Sequence, residues 1–101
     1  MALETYRLVV EETDNREGIT ADVYGESDTI VETTRLPYED YGLTAGEEAP
    51  DAREQEFTAD VLTLTLQHGR GDGTFEVRVL GDGDELAVER IADDDWGLAA
   101  E

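Results

Sequence analysis

His68 is the single histidine of the chain and Ser27 its single serine. A general base works through an orienting partner and a nucleophile held within hydrogen-bond reach. These two residues lie beside different turns in different halves of the chain, with no catalytic motif around either. His68 therefore reads as a solvated turn histidine. Two acidic stretches, Gly81-Asp82-Gly83-Asp84-Glu85 and Asp93-Asp94-Asp95, invite comparison with calcium loops. An EF-hand loop places acids at alternate positions, a glycine at the sixth and a bidentate Glu at the twelfth, and neither stretch does so. Gly69-Arg70-Gly71-Asp72-Gly73 has the glycine content of a phosphate-cradling loop. It joins strand to strand, however, and so lacks the helix N-terminus that a P-loop uses. Carboxylate pairs suited to glycoside chemistry are numerous, but nothing selects one. With no cysteine, thiolate catalysis, disulfides and Cys-based metal sites are excluded. No catalytic residue, metal ligand or cofactor is assigned.

The most specific side chains are aromatic. Tyr41 and Trp96 recur in matching contexts, Asp-Tyr-Gly-Leu-Thr-Ala and Asp-Trp-Gly-Leu-Ala-Ala. As core residues, each folds over the open face of its own sheet, with Leu43 and Leu98 beside it. As functional residues, Tyr41, Trp96 and the neighbouring Tyr38 are the candidates for ligand or partner binding, since aromatic rings anchor interfaces.

The elements that carry them are strands. Leu62, Leu64 and Leu66 alternate with Thr63, Thr65 and Gln67. After a glycine-rich turn, Phe75, Val77 and Val79 alternate with Glu76 and Arg78. After Gly81–Asp84, Leu86 and Val88 open a third strand. This period of two predicts an antiparallel meander over 57–91. Phe57, Ala59 and Val61 stand in the opposite phase to Leu62, Leu64 and Leu66, which predicts a β-bulge or bend near Asp60–Leu62. In the first half, strands are expected over 4–12, from Ile19 to Tyr24 and over about 29–36. Tyr6, Leu8 and Val10 should point inward, with Val9 out of phase. Pro37 ends the third strand and starts a helical turn over 38–41, which Gly42 stops. Asp93 is placed to cap an equivalent turn through Trp96.

Shifted back by 56 residues, the second meander falls on the first: Leu64 on Leu8, Phe75 on Ile19, Val79 on Val23 and Gly81 on Gly25. Beyond the third strand the offset becomes 55 and the aromatic-Gly-Leu tails coincide. The expectation is one α+β domain, mainly antiparallel β, made of two β-β-β-turn/short-helix repeats, 4–45 and 57–100, around a shared core. The linker is 46–56, and a six-stranded β-barrel is the alternative. This tandem order resembles the YegP-type small proteins, a family of tandem or dimeric repeats with an uncharacterised role. The resemblance implies the topology and no catalytic residues. The Asn-Gly turns and Asn-Gly-Ile endings of that family are replaced here by Glu26-Ser27-Asp28, Gly83-Asp84 and Gly-Leu-x-Ala.

Charge bounds the function. The 101 residues hold 27 acidic and 7 basic side chains, a net charge of −20, and every basic residue is arginine. The acids are spread over both halves. Spread acidity without lysine resembles the composition of haloarchaeal cytoplasmic proteins, for which molar salt shortens the Debye length to about 3 Å and screens self-repulsion. Such a surface lacks the Lys/Arg patch that phosphate contacts need, so nucleic acid is not an expected partner. No signal peptide or apolar span is visible, and a soluble cytoplasmic protein is expected. The functional expectation is a small halophilic, non-enzymatic module that binds a protein partner or forms a homodimer. The alternative is a small-molecule binding protein or enzyme with a pocket between the repeats.

Overall fold

In the computed structural model, which describes residues 3–100, the alternating segments form antiparallel strands in open sheets. The first half gives β1 (Glu4–Glu12), β2 (Gly18–Tyr24), β3 (Ile30–Pro37), a 3₁₀ turn (Tyr38–Tyr41) and β4 (Leu43–Thr44). The second gives β5 (Arg53–Ala59), β6 (Leu64–Gly71), β7 (Thr74–Gly81), β8 (Asp84–Ala92), the single helical turn α1 (Asp93–Trp96) and β9 (Ala99–Ala100). Three sheets result, with orders β3-β2-β1-β5, β6-β7-β8 and β4-β9. Among the described residues no helix is long and apolar enough to cross a membrane.

Pleating decides what lies inside. Tyr6, Leu8 and Val10 of β1 stand opposite Val23 and Ala21 of β2 and Phe57 of β5, and face the same side. Phe75, Val77 and Val79 of β7 do the same from the other sheet, with Ala87 and Ile91 of β8. The two inner faces meet in one core that also takes Leu36, Tyr38, Leu43, Trp96 and Leu98. Each of these side chains contributes roughly 1.5–3 kcal/mol of burial free energy. Val9, the out-of-phase residue, lies on the outer face between Asp22 and Glu54 and is nevertheless buried among its neighbours.

Four expectations need correction. First, the six-stranded barrel does not form. β5 and β8 run side by side without a ladder, and β3 lies against β6 without one. Second, β5 begins at Arg53, inside the expected linker 46–56. It pairs with β1 over the whole strand, from Glu4↔Ala59 to Val10↔Arg53. Third, the phase reversal at 60–62 is a complete break that sends β5 and β6 into different sheets. Asp82 holds the break by accepting from the backbone N–H groups of Leu62 and Thr63 at 3.2 and 3.1 Å, and Leu62 is left 98% exposed. Fourth, β8 changes phase. Val79 faces Ala87 but Leu80 faces Glu85, so Leu86 is the bulged residue, and the inward positions beyond it are Ala87, Glu89 and Ile91.

Both helical turns stop at a glycine in the left-handed region, Gly42 at φ 67° and Gly97 at φ 65°. Beyond these stops the two Gly-Leu tails pair with each other, Leu43↔Ala100 and Thr44↔Ala99.

Candidate functional site

The three aromatic candidates are core residues. Tyr38 is 2% exposed and Trp96 5%. Tyr41 is partly buried, its ring meeting Phe75 edge-on with centroids 5.1 Å apart. Tyr41 thus reaches the sheet of the other half. None of the three stands on the surface as an anchor.

The side chains that sequence reasoning missed are polar residues in phase with the inward apolar ones. Glu12 follows Tyr6, Leu8 and Val10 on the same face, and its side chain is only 3% exposed. One carboxylate oxygen accepts from the Tyr38 hydroxyl at 2.6 Å, the other from Arg16 Nε at 2.7 Å. Arg16 spends its remaining donors on the carbonyls of Gly46, at 2.7 Å, and Glu47. Glu12 therefore ties the end of β1 to the 3₁₀ turn and to the segment before β5. Burial, then the hydrogen bond to the Glu12 carboxylate, hold the Tyr38 phenol well above its ordinary value of 10.0.

A second cluster closes the β5/β8 seam. Gln55 Nε2 donates to the Val88 carbonyl and to Glu89, both at 2.9 Å. Arg53 donates to the Arg90 carbonyl at 3.1 Å and pairs with Glu89 and Asp95. Side chains thus replace the missing ladder. In a third cluster Arg70, in phase with Leu64 and Leu66, lies over the Phe75 ring at 4.5 Å and grips Asp93 through two bonds of 2.8 and 2.7 Å. Asp93, expected to cap α1, is engaged there instead. Asp95 takes the Ala92 N–H at 3.2 Å.

The outer face of β6-β7-β8 has a different character. Register brings Gln67, Arg78 and Val88 into one row and Gly69, Glu76 and Arg90 into the next. Glu76 accepts from Nε of both Arg78 and Arg90, and these bonds hold its carboxyl below the usual range. His68 is exposed in the same strand as Gln67 and Gly69. Val61 to Gly71 is the longest stretch of the chain without Asp or Glu. Among the described strands of seven residues or more, β6 alone carries no acidic side chain, and it is an edge of its sheet, with β3 lying against it but forming no ladder.

A cavity of about 740 Å³ lies between the segment 47–51 and α1. Glu47, Glu48, Asp51 and Asp95 line it with no cationic side chain. Among the described residues no three His, Cys, Asp or Glu side chains are grouped to hold a metal ion. Comparison with protein-family models, with curated proteins and with solved structures finds no match to this chain.

Proposed function

We propose that the chain is a small non-enzymatic interaction module adapted to molar salt, and that it makes its contact through the edge and outer face of β6. The observation that carries this reading is the acid-free strand. In a chain of net charge −20, approach of another protein meets carboxylates on every other long strand. Open strand edges are ready-made templates for another chain, and native proteins usually blunt them with charge. The compartment this reading implies is a cytoplasm at molar salt.

The module is built, in this proposal, from one β-β-β-turn unit used twice. β2 and β7 begin 56 residues apart, and the 3₁₀ turn and α1 begin 55 apart. Register shifts fall at Val23/Tyr24 and at Val79/Leu80. Tyr38 N donates to Glu17 O as Asp93 N donates to Gly73 O. These correspondences support a duplication of the kind the YegP-type resemblance implies.

The rival reading, a ligand pocket between the halves, would have to use the carboxylate-walled cavity beside α1. Chemical cross-linking and affinity capture in molar KCl test the choice. A bound protein, another copy or a different chain, should be retained by the wild type and lost from Gln67→Glu/Gly69→Asp. Capture insensitive to those two changes refutes the β6 site. A tight small ligand without any protein partner establishes the rival.

A further inference from the structure

We infer that the β6 edge is closed by β6 of a second copy, in antiparallel self-pairing across a two-fold axis, so that two β6-β7-β8 sheets become one continuous sheet. This rests on the interaction reading above and names its partner.

The four edge strands of the two large sheets are not alike. β3 ends in Pro37 and carries Glu32 and Arg35. β5 carries Glu54 and Glu56 and is stitched to β8 through Arg53 and Gln55. β8 carries Asp84, Glu85, Glu89 and Arg90. Charge, proline and cover are the ordinary defences of an edge. β6, with Leu64-Thr65-Leu66-Gln67-His68-Gly69-Arg70-Gly71, has no acid and no proline. β3 lies against it, but with no ladder, and unlike β5 and β8 the two are joined by no side-chain hydrogen bond among the described residues.

Its glycines point the same way. Gly69 and Gly71 lie within the strand, outside the left-handed region, and a Cβ built at either meets nothing within 4 Å. Neither backbone conformation nor packing inside the chain requires glycine there, although glycine weakens a strand. Glycine inside a strand often marks a place where another backbone approaches closely.

The charge pattern selects a second copy as the occupant. A basic partner would be drawn to any of the acidic faces and gains nothing from a strand without acids. A partner that itself carries −20 is favoured at that strand, because two β6 edges meet with no carboxylate on either. An axis at His68 gives complementary side chains on the outer face. Thr65 then stands opposite the partner's Gly71, and Gln67 opposite the partner's Gly69. Each outward side chain lies over a bare glycine, and the contact is isologous, as a two-fold requires.

The absence of native cysteine makes the test direct. In molar KCl, sedimentation equilibrium of the wild type should show a concentration-dependent dimer. Gln67→Glu/Gly69→Asp puts like charges opposite each other at both symmetry-related positions and should raise the dissociation constant about tenfold or more, with an unchanged far-UV circular dichroism spectrum. His68→Cys should form a disulfide-linked dimer under mild oxidation, and Thr33→Cys on the β3 edge should not. A monomer at every concentration, a dimer indifferent to the double change, or cross-linking at Thr33→Cys in place of His68→Cys overturns the self-pairing. If the protein is monomeric but still captures a different protein in a β6-dependent way, self-pairing falls and the interaction reading stands.

Discussion

Replacing Glu12 with alanine tests the argument that polar residues in the inward phase lock this fold. The substitution strips the Tyr38 hydroxyl of its acceptor and Arg16 of its partner. A hydrogen bond from a buried hydroxyl to a charged group contributes about 1.5–3 kcal/mol. The Arg16 side chain is about a third exposed, so its ion pair, discounted for solvent screening, adds less than about 1 kcal/mol. The expected loss is therefore about 2–4 kcal/mol, a large share of the stability of a domain this size. Glu11, one residue earlier on the outer face, is exposed, and Glu11→Ala should stay within about 0.5 kcal/mol. The comparison belongs in molar KCl. In dilute buffer both changes also relieve repulsion in a chain of net charge −20, which masks the difference. Urea melts of the wild type, Glu11→Ala, Glu12→Ala, Tyr38→Phe and the Glu12→Ala/Tyr38→Phe pair give the penalty and, through the cycle, the coupling between the two side chains. If Glu12→Ala matches Glu11→Ala in molar KCl, or the cycle closes with zero coupling, the reasoning is refuted.

Three further outcomes follow from the same structure. Trp96→Ala should cost roughly 3–5 kcal/mol, and wild-type tryptophan emission should be blue-shifted and poorly quenched by iodide; red-shifted, readily quenched emission would contradict the buried position. The melting midpoint should climb from dilute buffer to molar KCl as repulsion among the acids is screened, and a flat series would remove the case for salt adaptation. Because the fold raises the Tyr38 pKa above 10.0, the unfolded chain gives up this proton first. The stabilisation is then complete below pH 10.0 and is lost progressively as pH climbs above it, so Tyr38→Phe should show a shallower alkaline decline than the wild type; parallel declines would show that this phenol does not set the slope.

Most strands were legible because one face of each is apolar and the other polar. β2 and β7 keep that alternation through Val23 and Val79, and their positions follow from it; β1 departs from it at Val9 and Glu12, and β6 at His68 and Arg70. β5 was hidden for a physical reason. Two of its inward positions are Arg53 and Gln55, whose task is to reach the carbonyls of β8, so half the strand reads as a polar linker. Phase would have exposed it, since Arg53 and Gln55 stand in step with Phe57 and Ala59. The same rule marks Glu12, Glu89 and Arg70. The break at 60–63 left a phase reversal in the sequence, but its meaning depends on the Asp82 side chain, 20 residues away. Recurrence marked Tyr41 and Trp96 as special but left the core and anchor readings side by side, because recurrence in sequence does not distinguish a core position from a surface one; burial of Trp96 agrees with the core reading.

The place of β5 has a kinetic consequence. Its chain neighbours belong to the second meander, yet it supplies the outermost strand of the first sheet, where Phe57 stacks on Tyr6 at 5.5 Å. Until residues 53–59 arrive, the first meander has a bare β1 edge and Tyr6 has no ring to stack against. Closing the Glu4↔Ala59 pairing means ordering a loop of more than fifty residues before the contact repays its entropy. Long-range pairing of this kind slows folding. The rate-limiting step should therefore be the docking of β5, with β1-β2-β3 gathering first as a local hairpin array. In refolding followed by pulsed hydrogen exchange, amides of the β1–β2 ladder should be protected before those of the β1–β5 ladder.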